Sequence, residues 1–252
     1  MTVLADDLAA ALDPVLFGQQ LGFHPEPWQA RLLRTTAPRV LVRCCRQSGK
    51  STTVGLRALH TAMHHAGRDV LVLSSSQRQS DELLVRVRSH YRALAGAPRL
   101  TTDNTSTMGL ANGSRVISLP ASEGTVRGFA NVKLLLLDEA ARVEDEVLAS
   151  ALPMVGSDGQ IMALSTPYGQ RGWWWKLHEE PANGWERHLI TVYESAQYDE
   201  KRIAEVRASL GSFIFSSDYE CVFGDVDSQL FGTEQVRRAF TSAVSPLFGG
   251  AQ

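Results

Sequence analysis

The stretch RVLVRCCRQSGKSTTVGL, residues 39–56, decides how the rest of the chain is read. Its first part is a short apolar run, the length of one buried strand. Its last part opens a helical pattern that continues to a glycine stop at Gly67. Between them stands Gly-Lys-Ser, the end of the phosphate-binding pattern G-x-x-x-x-G-K-[ST], with Cys44 where the first glycine is usual. That loss is physically tolerable: the first position needs a turn, and only the later residues must approach a phosphate closely. A strand before the loop and a helix after it are the context such a motif requires. In that context the backbone N–H groups of Gln47, Ser48, Gly49, Lys50 and Ser51, with Thr52 in the first helical turn, surround the β-phosphate of ATP at the positive helix end. Lys50 reaches the β and γ oxygens and Ser51 holds Mg²⁺. The plain alternative is a GKS tripeptide on a surface turn.

Outward from this loop, short apolar runs alternate with helical patterns. Residues 39–45, 69–76, 114–121, 132–140 and 160–167 read as strands, and 49–67 and 77–96 read as helices. The expected fold is therefore α/β, with a mainly parallel central sheet flanked by helices. The run LLLLDEA, 134–140, is a strand buried on both faces, and carboxylates at its end are costly without cationic partners. Asp138 suits the outer coordination of Mg²⁺, and Glu139 suits polarisation of an attacking water. In a purely structural reading the pair caps a helix after 142. The extra strand at 69–76 marks the P-loop NTPase class with an additional strand and a catalytic glutamate. Residues 101–113 read as a hairpin arm or loop, 185–193 as a strand, and 199–210 and 213–223 as helical.

Composition narrows the partners. A net charge of −2 and a pI near 6.4 exclude a globally basic nucleic-acid binder, but residues 31–92 carry twelve Lys and Arg against three acids. Three cysteines form neither a disulfide framework nor metal-ligand spacing, which suits a reducing, cytoplasmic setting. The acidic N-terminus is no secretory signal, and no apolar stretch approaches a membrane span.

Five motifs in order give the chain a resemblance to the large terminase subunits of tailed bacteriophages, the ATP-driven motors that package DNA into capsids. CRQSGKS (45–51) resembles that family's arginine-containing loop, LLLLDEA its acidic strand, and PEPWQARLL (25–33) its adenine motif. LSTP (164–167) resembles its coupling motif, and EGTVRGF (123–129) the segment that supplies an arginine finger. The resemblance implies that Gln29 contacts the adenine edge with Trp28 packed nearby, and that Ser165 and Thr166 sense the γ-phosphate. It also implies that Arg127 enters a neighbour's site. Arg46, inside the loop, either senses the γ-phosphate or braces the loop against a carboxylate. Each role has a plain counterpart: Trp28 and Gln29 can begin an amphipathic helix, Arg127 can be a surface arginine in a turn, and Ser165 and Thr166 can cap one.

The implied activity is ATP hydrolysis that drives double-stranded DNA into a procapsid. The implied partners are the portal protein, the small terminase subunit and further copies in a ring of five, with no membrane. The place of action is the host cytoplasm and, transiently, the procapsid portal. Arg86, Arg88 and Arg92 recur on one helix and are candidates for phosphate contacts with DNA. Residues 1–225 are expected to form the ATPase domain, with a core at 15–170 and a smaller subdomain at 171–225. Residues 226–252 are expected to link toward a nuclease domain that this chain lacks, so no DNA cleavage is expected. The rival readings are a helicase-like or remodelling ATPase, and a nucleotide-gated assembly module with little hydrolysis. Glu139 argues against the second, because binding alone needs no water-polarising carboxylate.

Overall fold

The computed structural model describes residues 3–122, 124, 128–180 and 182–224. Helices α1 (Val3–Leu12), α2 (Pro14–Gln20) and α3 (Pro27–Arg34) lead into strand β1 (Arg39–Cys44) and helix α4 (Lys50–His64). Strand β2 (Asp69–Ser74), helix α5 (Gln77–Ala93) and strands β3 (Leu100–Asn104), β4 (Thr107–Leu110) and β5 (Arg115–Pro120) follow. Beyond these come β6 (Val132–Asp138), α6 (Asp145–Ala151), β7 (Val155–Ser165), α7 (Gly172–Glu179), β8 (Glu186–Ile190) and α8 (Glu200–Asp218).

The strands form one sheet of eight in the order β3-β4-β5-β2-β6-β7-β1-β8. All pairs from β5 to β8 are parallel, and only β3–β4 and β4–β5 are antiparallel. The expected mainly parallel α/β fold is thus present. The 101–113 arm is a hairpin that extends one edge of the sheet.

Alternation along the central strands divides the core. Val40, Val42, Val70, Val72, Leu134 and Leu136 face the layer built by α1 to α5. Leu41, Leu71, Leu73, Leu135 and Leu137 face the opposite layer with Trp173 and Trp174. Each leucine buried in this way contributes about 1.5–3 kcal/mol relative to an exposed one. Among the neighbouring tryptophans, Trp173 donates its indole N–H to the Val143 carbonyl at 2.9 Å, and Trp174 is also buried.

Two element boundaries differ from the sequence reading. The helical stretches expected at 199–210 and 213–223 are two helical segments of α8 that meet at a kink at Gly211, whose φ of 74° and ψ of 165° only glycine adopts freely, and the second ends at Asp218, short of residue 223. Strand β7 begins earlier than residue 160 because it carries a bulge: Val132 pairs with Val155, but Leu134 already pairs with Gln160. Arg68 and Lys133 both reach the Asp158 carboxylate on that bulge, at 2.8 and 2.9 Å. A Cβ at Gly159 would stand 2.6 Å from the Val132 carbonyl oxygen and 3.0 Å from that of Gly156. Neither backbone group can swing aside, so Gly159→Ala is expected to cost about 1–3 kcal/mol. Thermal unfolding checks this, and an unchanged midpoint would show that the bulge relaxes freely.

Candidate nucleotide site

The phosphate loop, the acidic strand end and the end of β7 meet because of strand order. Strand β7 lies between β1 and β6, with Asp138 opposite Leu164 and Arg43 opposite Ser165. The C-terminal ends of these parallel strands therefore open on one cleft, the usual ligand position in such sheets.

Cys44 remains a strand residue, paired with Ile190, so no glycine is needed there. The turn falls later. Gln47 has a φ of 55° and Gly49 a φ of 88°, both left-handed, and the Ser48 hydroxyl donates to the Cys45 carbonyl at 3.0 Å. Gly49 suits its place through its positive φ, and it stands close beside Nε2 of Gln29. The loop then enters α4, whose first-turn N–H groups supply an anion-binding end. The cleft beside it, about 470 Å³, is lined by residues 45–52 together with Arg86, Glu139 and Thr166.

Lys50 reaches both carboxylates, Asp138 at 2.9 Å and Glu139 at 2.8 Å. Burial alone lowers the pKa of the ammonium, but Asp138 and then Glu139 outweigh it, and the pKa stands above the ordinary lysine value. For Glu139, burial raises the pKa and Lys50 more than reverses it, so the net direction is downward. Glu139 is itself in the left-handed region, with φ 54° and ψ 40°. A non-glycine residue there stores on the order of 1–3 kcal/mol, held by the rigid strand before it.

The adenine-motif residues lie beside the loop. The Gln29 side-chain oxygen accepts from the Glu26 N–H at 2.8 Å, closing a capping box on α3, while its amide nitrogen adjoins Gly49. Trp28 is 2% exposed and donates to the Glu26 carboxylate at 2.9 Å. Thr166 lines the cleft, whereas Ser165 is buried and its hydroxyl has no hydrogen-bond partner among the described residues. Ser74 is also buried without a hydroxyl partner among them and sits opposite Asp138 in the β2–β6 register. The sequence reading did not single it out.

Arg46 adopts the bracing arrangement. Its Nε donates to Asp218 at 2.6 Å, and its N–H donates to the carbonyl of the same residue at 3.0 Å. Tyr198 donates its hydroxyl to the Arg46 carbonyl at 2.9 Å, and Arg202 donates to the Gln47 side chain at 3.0 Å. The outer wall of the loop therefore belongs to the C-terminal elements, and Asp218, Tyr198 and Arg202 carry no signal in sequence that marks them for it. Burial pushes the Cys44 thiol up to about 12 and the Cys45 thiol up to about 11, so both are neutral at physiological pH.

The arginines of α5 do not form one stripe. Arg88 is bound to Asp103 at 2.9 Å and to the Asn104 carbonyl, which ties it to the β3–β4 hairpin. Arg92 is exposed on that side of the helix, about 40° around from Arg88, whereas Arg86 turns to the nucleotide cleft. Arg127 and residues 225–252 lie outside the described residues. Among the described residues no cluster of three or more His, Cys, Asp or Glu can hold a metal, and no helix is long and apolar enough to cross a membrane.

Residues 41–180 match the family described as "RNA cytidine acetyltransferase NAT10/TcmA, helicase domain", and the chain belongs to that family. A comparison with curated proteins returned no match. Among solved structures, the large terminase ATPase domain of Thermus phage P74-26 superposes with a TM-score of 0.71 at 20% identity, covering 82% of this chain and 97% of that one. The large terminase of the thermophilic bacteriophage D6E gives 0.67 at 9% identity, covering 79% of this chain and 53% of that one. The large terminase of bacteriophage HK97 gives 0.66 at 13%, covering 79% and 51%. The chain thus spans about half the length of the last two. These likenesses establish the fold, that of the P-loop ATPase domains of phage large terminases. The D6E protein has been solved with ADP and with ATP-γ-S.

Proposed function

From the geometry of the loop and the likeness of the fold to the ATPase domains of phage large terminases, we propose that the chain hydrolyses ATP and couples hydrolysis to translocation of double-stranded viral DNA into a procapsid. The observation that carries the reading is the contact of Lys50 with both Asp138 and Glu139. The lysine that would hold the phosphates is parked on the two carboxylates that would serve the metal and the water. Nucleotide arrival transfers Lys50 to the β- and γ-phosphate oxygens and frees both.

Mg²⁺ fits the donor set: the Ser51 hydroxyl and the Asp138 carboxylate are hard oxygen donors lining one cavity. Ser51 and Asp138 would hold the ion, which would supply neutralisation of phosphate charge. Glu139 orients the attacking water and takes its proton as oxygen bonds to the γ-phosphorus and the bond to the β,γ-bridging oxygen breaks. Gln29, with Trp28 behind it, holds the adenine. Ser165 and Thr166 relay the loss of the γ-phosphate into β7. Arg46 stays with Asp218 in the absence of nucleotide.

On this reading several copies form a ring around DNA, with Arg127 completing the adjacent site. The ring, of five copies, works with the portal protein and small terminase subunit in the host cytoplasm. A helicase-like or remodelling ATPase acting on nucleic acid is the second reading, and the family match itself favours it.

Steady-state ATP hydrolysis, measured across protein concentration with double-stranded DNA, with duplex RNA or with neither, tests both. The packaging reading expects a rate per chain that climbs steeply with concentration and with DNA. Stimulation by RNA alone would favour the second reading, and absence of hydrolysis under every condition would overturn both.

A further inference from the structure

Resting on the ATPase reading above, we propose that Arg86 of α5 binds the γ-phosphate of ATP from within the same chain, and is a catalytic residue of this site. The helix that carries it is keyed into the first turns of α4 at two points. His90 Nε2 lies 2.9 Å from the Thr52 carbonyl. At Gly55 the helices approach so closely that a Cβ there would stand 3.1 Å from the Arg86 Cβ and 3.4 Å from the Val87 nitrogen. Gly55 lies one turn beyond Ser51 on the same stripe of α4, so this contact sets Arg86 beside Ser51.

The cleft has two lobes, and Arg86 borders both. One, about 470 Å³, lies against the phosphate loop; the other, about 360 Å³, lies against Asp138 and α5. Ser51, Arg86 and Glu139 are common to the two linings. Where the lobes meet, a γ-phosphate held at the end of α4 faces the water-orienting carboxylate, with the Arg86 fork at its side.

Charge points the same way. Three cations line the loop-side lobe: Arg46, Lys50 and Arg86. Arg46 is engaged by Asp218, and Lys50 by Asp138 and Glu139. Arg86 is exposed and makes no ion pair among the described residues; its neighbour Glu82 accepts from Arg78 instead. A triphosphate entering a site that already holds two carboxylates needs a cation not committed to them, and a guanidinium is suited to spreading γ-phosphoryl charge through paired N–H donors. On this proposal Arg86 serves the nucleotide and not DNA, while Arg88 and Arg92 lie on a different side of the helix.

The test uses the wild-type chain, Arg86→Ala and Arg86→Lys, with ADP and ATP-γ-S binding by calorimetry, ATP turnover, and binding to a short DNA duplex over a salt series. Arg86→Ala is expected to weaken ATP-γ-S binding about tenfold and to leave ADP binding within about twofold, because ADP lacks the phosphate concerned. Turnover at saturating ATP should fall about 100-fold or more. Arg86→Lys should fall between the two, since it keeps the charge and loses the fork. Equal losses for ADP and ATP-γ-S, or unchanged turnover, overturn the proposal. So does a flattened DNA salt slope with nucleotide binding intact, which returns Arg86 to the DNA path. If the wild-type chain itself binds nucleotide but turns over no ATP, the ATPase reading fails first, and the ADP against ATP-γ-S comparison still judges Arg86.

Discussion

Replacing Glu139 with glutamine is expected to lower ATP turnover about 100-fold or more, with nucleotide binding changed by no more than a few-fold. The substitution keeps the shape of the side chain and removes its capacity to take a proton. It leaves Lys50 its 2.9 Å contact with Asp138, so the local fold has a reason to persist. A loss of that size corresponds to about 2.7 kcal/mol of transition-state stabilisation, the scale of one positioned base. Glutamine at 139 also inherits the left-handed backbone, so the strain at that position is the same in both proteins. Turnover and ADP affinity measured side by side separate chemistry from binding. A variant that kept a third of the wild-type rate would remove Glu139 from the catalytic step.

The second large effect concerns stability as well as activity. Lys50→Met should abolish measurable nucleotide binding and should also destabilise the empty protein by about 3 kcal/mol, because it strands two carboxylates that share one cation. Their side chains are 9% and 25% exposed, and the lysine is 13% exposed, so solvent replaces little of the lost interaction. The pH dependence follows from Glu139. Its folded pKa is held below the unfolded reference of 4.5, so the stability it gains from Lys50 is present above that reference and is lost as pH falls through the folded value. The gap between wild type and Lys50→Met should therefore be wide at neutral pH and narrow as the solution is acidified below 4.5. Denaturant unfolding at several pH values checks this. A gap independent of pH would show that Glu139 draws no stability from Lys50.

How much of this was legible in sequence depends on how far apart the partners lie in the chain. The phosphate loop, its strand and its helix are contiguous, and their pattern alone identified them. The same holds for the leucine strand that leads into Asp138 and Glu139, since an unbroken apolar run and carboxylates at its end are local signals. Where the loop turns is visible only in three dimensions: Cys44 continues the strand, and the turn falls at Gln47 and Gly49. The sequence allows Arg46 two roles because its partner, Asp218, is 172 residues away, at the far end of a helix whose docking no local pattern encodes. The arginines of α5 recur close together in the sequence, but only Arg88 and Arg92 fall at the spacing of one helix face, and spacing does not say which way a face points. That rotation is set by the close approach at Gly55, which turns Arg86 to the cleft, while Arg88 is claimed by the hairpin.

By itself, then, the sequence determined the α/β class, the phosphate loop and the acidic strand end, because each is specified by residues adjacent in the chain and by periodicities of the backbone. The tertiary structure alone decided the strand order that inserts β7 between β1 and β6, the pairing of Lys50 with both carboxylates, and the clamp of the C-terminal helix on the loop. It also decided which arginine of α5 lines the cleft. Those outcomes depend on packing between segments far apart in the chain, where a single glycine or one buried ion pair selects among arrangements that the local pattern leaves equal.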